Sequence, residues 1–389
     1  MHKQIAIQAA HRPKAKGLRR LPAMDLPFLL LVLALVGAGL VMLGSASSAV
    51  ALYRRGDPYA YLRPQLLYAA LGIAAMWVAS RVDYHIYHRL AWGLLAVSLV
   101  LLTAVLFMPE YNGCRRWLVL PGLGTLQPSE IAKFAVVLVF AHIISLNHSR
   151  MGSFGVGVLP FVLVLGVVAA LMLLEPHLSG TVLILCTGAV LMIVGGIQAW
   201  LVAAGVGGVG AVGFLFVKLA EKGIIKYGSA RIAMWHDPWL DYSGDGYQLA
   251  QSLITIGSGG LLGVGLGRSR QKFLYLPEQY NDFIFSVVCE ELGLIGACVI
   301  MLIFALLILR GFWIALHARD RFGALLVVGI MTHLALQTFL NIAVVSGFVP
   351  TTGISLPFFS YGGTALCLQL VEMGIVLSVS RQIPAPKAG

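Results

Sequence analysis

Apolar runs long enough to cross a lipid bilayer recur along almost the whole chain, and no other feature constrains its fold as strongly. A helix needs about 20 apolar residues to span roughly 30 Å of hydrocarbon. Hydrophobic residues make up 59% of the chain and charged residues only 11%, and a soluble fold of this length does not bury so much apolar surface. The sequence therefore predicts an all-α integral membrane protein.

The apolar runs predict ten transmembrane helices. They cover about 26–46, 65–80, 88–108, 128–146, 154–174, 180–197, 198–220, 282–310, 322–346 and 358–380. The first run ends in the small residues Gly44–Ser48, as a signal peptide would. A cleaved apolar segment is only about 7 to 15 residues long, so we expect the first run to persist as a helix.

The distribution of cations predicts that both termini are cytoplasmic. Ten spans place the termini on one side, and short cytoplasmic segments are normally enriched in Lys and Arg. Fourteen cations fall in the predicted inside segments and five in the short outside loops. The inside set is Lys3, Arg12, Lys14, Lys16, Arg19, Arg20, Arg81, Arg89, Arg150, Arg310, Arg319, Arg321, Arg381 and Lys387; the outside set is Arg54, Arg55, Arg63, Arg115 and Arg116.

This topology divides the chain into a basic cytoplasmic tail over 1–24, a membrane domain over 25–381 and a cytoplasmic tail over 382–389. A large extracytoplasmic loop, about 221–281, connects helices 7 and 8, and so long a loop is usually functional. The net charge of +11 is explained by topology and anionic lipid, since no nucleic-acid motif is present. The glycine-rich run 257–267 lacks a phosphate-loop pattern and predicts closely packed irregular backbone or a re-entrant segment.

Asp282 is the candidate general base, because it stands where the large loop enters the eighth apolar run. Burial at that position would raise the pKa of the carboxyl group and prepare it to accept a proton. The alternative is an acidic residue that only stabilises the positive end of the helix macrodipole.

Three cations outside the apolar runs are candidates for binding an anionic headgroup. Arg115 and Arg116 oppose the charge bias of an outside loop, which suggests phosphate binding, and Trp117 beside them suits stacking on a sugar. Lys272 lies in a cationic and aromatic segment, 269–278, just before the eighth run. The alternative for both segments is anchoring at the membrane interface.

Ionisable and hydroxyl groups within or beside the spans indicate a polar interior. Glu130 and Lys133 lie three residues apart on one helix face, where they line a polar pathway or form a structural ion pair. Ser360 belongs to the non-helical run 350–363, whose hydroxyls suit the lining of a cavity. A structural role is favoured for Glu175, Glu290, Glu291 and Glu372.

Taken in order, these segments resemble the SEDS family of bacterial shape, elongation, division and sporulation proteins. The resemblance rests on the motifs at 112–117, 127–133, 251–253, 257–260, 271–278, 282–285, 290–293 and 350–363. Segments 237–248 and 271–278 are more similar to the division and sporulation members than to the elongation members. Three positions depart from the family pattern: Asn281 replaces the usual Thr, His177 the usual Asp, and Thr364 the usual Ser.

The resemblance implies ten transmembrane helices and a peptidoglycan glycosyltransferase that polymerises lipid II into β-1,4-linked glycan for septal or sporulation wall synthesis. It also implies a place in the bacterial inner membrane, at the division septum, with a class B penicillin-binding protein (a transpeptidase) and other division proteins as partners. The family's catalytic aspartate falls on Asp282. Arg115, Arg116, Lys133 and Lys272 are then candidates for contact with the departing diphosphate.

Two other functions compete with polymerisation. A lipid II flippase would carry ionisable groups through the bilayer depth, whereas the cations of the motifs and Asp282 concentrate toward the outer face. A non-catalytic scaffold would recruit the transpeptidase without needing Asp282. A divalent cation such as Mg²⁺ would help neutralise a diphosphate, but the sequence shows no dedicated ligand set. The five cysteines form no disulfide framework or CxxC site.

Overall fold

The computed structural model describes residues 24–109, 115–120, 124–198, 200–205, 207, 208, 210, 235–244 and 246–383. The helices are α1 (Leu26–Arg55), α2 (Leu62–Arg81), α3 (His85–Val105), α4 (Pro128–Asn147), α5 (Leu159–Leu174), α6 (Leu178–Val194), α7 (Tyr247–Ser258), α8 (Ile284–Leu316), α9 (Arg321–Val345) and α10 (Gly363–Ser380). An antiparallel hairpin of β1 (Leu118–Leu120) and β2 (Gly124–Leu126) precedes α4.

Eight helices in the described part of the chain are long and apolar enough to cross a membrane: α1 to α5 and α8 to α10. A π-helical turn, Phe154–Val158, extends the span of α5 to 21 residues, whereas the apolar helix α6 has only 17. The prediction of a helical membrane protein is therefore confirmed, with the short β-hairpin as the one departure from all-α structure in the described residues. The predicted span 198–220 falls largely outside the described residues, so the count of ten remains a prediction.

Helix α1 is longer than predicted, because it continues through the small residues at 44–48 to Arg55. These residues serve helix packing: the Ser45 hydroxyl donates to Glu291 Oε1 on α8 at 2.6 Å. The helix ends at Gly56, whose φ of 69° forms the left-handed cap that favours glycine. Two other boundaries were also wrong, since α8 runs to Leu316 and α10 begins only at Gly363.

Helix α8 is interrupted at Gly293, which has φ 68° and ψ −174°. The glycine-rich run packs against this break: Val264 N donates to Glu290 O at 2.9 Å and Gly265 N to Glu291 O at 3.0 Å. A Cβ atom on Gly293 would lie 2.3 Å from Gly263 N. The prediction of closely packed irregular backbone is therefore confirmed.

Gly293→Ala is expected to destabilise the protein by about 2–4 kcal/mol, because the new methyl group meets backbone at a positive φ. Thermal unfolding of the purified protein in detergent measures the loss. Gly166→Ala on α5 is the control, since nothing lies within 4 Å of its Cβ position. Equal unfolding temperatures for the two variants would show that the break tolerates a side chain.

The large loop contains a helix that the sequence did not predict. Helix α7 buries Leu249, Ala250, Gln251, Ser252 and Thr255. The Ser252 hydroxyl donates to Val345 O of α9 at 2.6 Å and lies 2.8 Å from the hydroxyl of Ser286 on α8. The described part of the loop around α7 is thus fixed on α8 and α9, next to the segment that leads through Asp282 into α8.

Candidate active site

The backbone of Asp282 is held by a buried amide that the sequence analysis missed. Asn341 of α9 donates from Nδ2 to Asp282 O at 2.8 Å and to Ile354 O at 2.7 Å. Its side chain is fully buried, so these bonds bring the loop before α8 and the segment before α10 together. The available sequence signal was the spacing of His333, Gln337 and Asn341, which recur every four residues in an otherwise largely apolar helix and therefore share one face.

The Asp282 carboxylate is half-buried beside the segment before α10. A Cβ atom built on Gly353 would lie 3.0 Å from Asp282 Oδ2, so any side chain at this position would push the carboxylate away from its present place. The pKa of Asp282 is raised to about 7, first by burial and then by the negative charge of Glu278, while the positive charge of Arg116 acts to lower it. The direction agrees with the expectation from the sequence, and a value near 7 suits a base that works near neutral pH.

Arg116 is the predicted cation that the structure brings to Asp282. Its Nε donates to Glu175 O at 3.3 Å and its Nη2 donates to Pro176 O. The turn between α5 and α6 therefore fixes the guanidinium within electrostatic reach of the carboxylate. Arg115 is exposed and donates from Nη1 to Leu106 O at 3.1 Å, while Trp117 is half-buried just before β1. The neighbouring residues 110–114 lie outside the described part of the chain.

Glu130 and Lys133 form the ion pair that their spacing predicted, with Oε1 and Nζ 2.8 Å apart. Lys133 is buried. Burial first, and then the charges of Arg116 and Lys133, lower the pKa of His177 to about 3, so this imidazole is neutral. Both cations therefore lie near His177, which connects the ion pair to the Arg116 side of the site.

Glu175 is a buried acid next to Arg116. Neither carboxyl oxygen has a hydrogen-bond partner among the described residues. Burial raises the pKa of Glu175 to about 8, against the opposing charge of Arg116. At neutral pH the side chain is therefore mostly a neutral acid, which agrees with the structural role favoured for it from the sequence.

Lys272 is not placed as a diphosphate ligand. Its Nζ donates to Ser45 Oγ at 3.1 Å, Gly267 O at 2.7 Å and Glu291 Oε1 at 3.2 Å. An ammonium group has three donors, so these acceptors use all of them, and the side chain is buried between α1 and α8. The structure assigns Lys272 to a structural ion pair.

The Ser360 hydroxyl is likewise hydrogen-bonded within the protein rather than presented to a cavity. It donates to Asn281 O at 2.7 Å and accepts from Leu356 N at 2.7 Å. It therefore connects the segment before α10 to Asn281, the residue that precedes Asp282. Glu290 accepts from Arg270 N at 3.0 Å, and Glu291 accepts from Ser269 N at 3.3 Å, so the structural role favoured for both glutamates is confirmed.

A cavity of about 300 Å³ lies among α2, α4, α10 and the β-hairpin. Glu130 is the predicted site residue in its wall, and Asp282 does not line it. The lining residues are Tyr68, Leu126, Gln127, Glu130, Ile131, Thr364, Cys367, Leu368 and Val371. No group of three or more His, Cys, Asp and Glu side chains in the described ranges is arranged to hold a metal ion, so participation of Mg²⁺ remains a prediction.

Gly353→Ala is expected to lower the turnover of a reaction that uses Asp282 as its base about 10- to 100-fold, because the methyl group displaces the carboxylate. Steady-state rates at saturating substrate measure the effect. Gly362→Ala is a matched control in the same segment, since its Cβ would be 3.7 Å from the nearest side chain. A rate for Gly353→Ala equal to that of the control would contradict the placement of Asp282.

The arrangement is that of a multispan membrane protein with a carboxylate and a fixed guanidinium where a large loop meets the bundle. The family model described as cell cycle protein, shared by FtsW, RodA and SpoVE, matches residues 26–384. The chain therefore belongs to this family, the SEDS family recognised from its motifs, and within it the chain is FtsW-like.

Relatives and solved structures agree with this assignment. The chain is 39% identical to the probable peptidoglycan glycosyltransferase FtsW of Geobacter metallireducens, over 94% of this chain and 97% of the relative. It is 40% identical to stage V sporulation protein E of Bacillus subtilis, over 92% and 97%. A chain of a peptidoglycan synthase complex superposes with a TM-score of 0.77 at 30% identity, over 92% and 98%. Rod shape determining protein RodA of Thermus thermophilus gives 0.67 at 29%, over 94% and 99%.

Proposed function

We propose that the chain is a peptidoglycan glycosyltransferase that polymerises lipid II with Asp282 as the general base. The observation that carries this proposal is the half-buried Asp282 carboxylate, whose pKa is raised to about 7 beside the fixed guanidinium of Arg116. The names of the FtsW relatives support the reaction class.

In the proposed reaction Asp282 accepts the proton of the 4-hydroxyl group of the acceptor GlcNAc. The hydroxyl oxygen bonds to the anomeric carbon of the donor MurNAc as the bond from that carbon to the diphosphate oxygen breaks. Undecaprenyl diphosphate leaves with the electron pair, and the anomeric configuration inverts. No enzyme nucleophile is needed, so the protein supplies a base and charge stabilisation.

The remaining site residues are assigned by charge and position. Arg116 and Arg115 contact the diphosphate, and Trp117 packs on a sugar face. Lys133 stabilises the leaving charge, with Glu130 holding its ammonium in place at 2.8 Å. Lys272 and Ser360 are left out of this set, because their polar atoms are engaged within the protein.

The proposed setting is the bacterial inner membrane, with ten spans, cytoplasmic termini and the loop 221–281 outside. The tails are 1–24 and 382–389, flanking the membrane domain 25–381. The partner is a class B penicillin-binding protein, supported by the solved synthase complex in which polymerization and crosslinking are coordinated. The relatives named FtsW and stage V sporulation protein E support a role in septal or sporulation wall synthesis.

The purified chain, co-expressed with its class B partner and supplied with fluorescent lipid II, tests the reaction. We expect a ladder of glycan strands on gel electrophoresis. Transport of labelled lipid II across liposomes without polymer would favour a flippase. Absence of both products in a folded complex would favour a scaffold.

A further inference from the structure

Helices α1 and α8 are tied together by polar contacts near both membrane boundaries. Arg310 Nη2 contacts Asp25 Oδ2 at 2.8 Å, and Ser45 Oγ donates to Glu291 Oε1 at 2.6 Å. Ser45 follows Asp25 by 20 positions, which is about 30 Å along a helix. That distance equals the thickness of the hydrocarbon core. With one boundary of the apolar slab placed at the Arg310 level, the other falls at about the Glu291 level.

The segment 260–275, called here the boundary loop, is attached to α8 at the Glu291 level. Leu294 N donates to Gly260 O at 2.9 Å, and Ile295 N donates to Leu261 O at 3.2 Å. Leu294 and Ile295 are 54% and 55% exposed on a membrane-spanning helix, so they face lipid. Leu261 and Leu262 are 67% and 80% exposed beside them, and the lipid-facing surface of α8 thus continues onto the loop.

The boundary loop also exposes two cations. Arg268 and Arg270 are exposed, and no carboxylate in the described part of the chain pairs with either one. Lys272 on the same loop is buried in its ion pair. Exposed Phe273 and Tyr275 lie next to these arginines. Apolar and aromatic side chains combined with free guanidinium groups are typical of a surface at headgroup depth.

We propose that the boundary loop is a binding surface for anionic phospholipid, with its leucines in the acyl region and Arg268 and Arg270 on headgroup phosphates. In the topology proposed above, this is the outer leaflet; the binding itself does not depend on catalysis. The lipid-linked substrate is the alternative occupant, and the kinetic measurement below separates the two. Continuity with the lipid-facing side of α8 favours lipid over a protein partner.

Native mass spectrometry of the full chain tests the surface, with phosphatidylglycerol and phosphatidylcholine of identical acyl chains as probes. We expect wild type to retain phosphatidylglycerol preferentially, and each of Arg268→Gln and Arg270→Gln to lower that preference about fivefold. Arg54→Gln/Arg55→Gln is the matched control. These arginines are also exposed, but they follow Ser45 by nine and ten positions and so lie beyond the boundary. An unchanged preference in the Arg268→Gln/Arg270→Gln variant would overturn the proposal.

Hydrogen exchange over 260–275 gives an independent readout in nanodiscs. Protection that increases when phosphatidylglycerol replaces phosphatidylcholine, without any partner protein, supports the proposal. Protection that appears only when the class B partner is added would identify a protein interface instead. A rise in KM for lipid II in the double variant, with lipid preference unchanged, would identify a substrate site and would likewise overturn the proposal.

Discussion

Asp282→Asn is expected to reduce glycan polymerisation about 10²- to 10⁴-fold, the range that a positioned general base contributes. The amide keeps the shape of the carboxyl group but does not accept the proton of the acceptor hydroxyl. The fold should persist, because Asn341 binds the Asp282 backbone carbonyl rather than its side chain. Initial rates of polymer formation measure the loss, and thermal unfolding verifies the fold.

The control for Asp282→Asn is Asp83→Asn, an exposed carboxylate at the start of α3. It should polymerise lipid II at nearly the wild-type rate. Lipid II binding by Asp282→Asn should also stay close to wild type, because the base acts on the reacting proton. Activity of Asp282→Asn within a few-fold of the control would remove Asp282 from the mechanism.

Lys272→Met is expected to give the largest loss of stability, about 3–5 kcal/mol, because it leaves Glu291 as a buried carboxylate without its cation. The three acceptors of Lys272, including Gly267 O at 2.7 Å, lose their donor at the same time. Thermal unfolding in detergent measures the change. The double variant Lys272→Met/Glu291→Leu should recover most of the stability, since an apolar pair can replace a buried ion pair.

The Lys272 variants also separate a structural role from substrate binding. At a temperature where the double variant is folded, its KM for lipid II should equal that of wild type. Arg270→Gln is the control from the same loop, and its exposed side chain predicts little change in unfolding temperature. A double variant that is stable but has a strongly raised KM would return Lys272 to the diphosphate site.

The membrane fold was predictable because each membrane-spanning helix is visible in the sequence as an apolar run. Most helix bounds agree with those runs within a few residues. The end of α1 was not predictable from the sequence. Small residues such as Gly44 and Ser45 are typical of a helix end, and only their contact with another helix shows that α1 continues. The contact partner of Ser45 is Glu291 on α8, 246 positions away. Helix α7 was missed for a related reason, because its stability depends on packing against α8 and α9.

The sequence already pointed to Asp282 and Arg116, which the structure places within electrostatic reach of each other, because motif position and charge bias are local properties. Whether the other polar groups bind a ligand or contact the protein itself depends on their neighbours in the folded structure. Lys272 carries the same sequence signal as a phosphate ligand, but Glu291 and Gly267 O occupy its donors. Asn341 has no motif of its own, and only the contact with Asp282 O reveals its positioning role.

The central claim is that Asp282 must be unprotonated to act, and the pH dependence of polymerisation tests it most directly. With a pKa of about 7, the rate should fall about tenfold per pH unit below that value and level off above it. Glu278 raises this pKa, so Glu278→Gln should lower it and move the acid limb to lower pH. The Gln carbonyl still accepts from Asn281 Nδ2, which now lies 2.6 Å from Glu278 Oε2. An acid limb that is absent from wild type, or that does not move in Glu278→Gln, would contradict the assignment of Asp282 as the base.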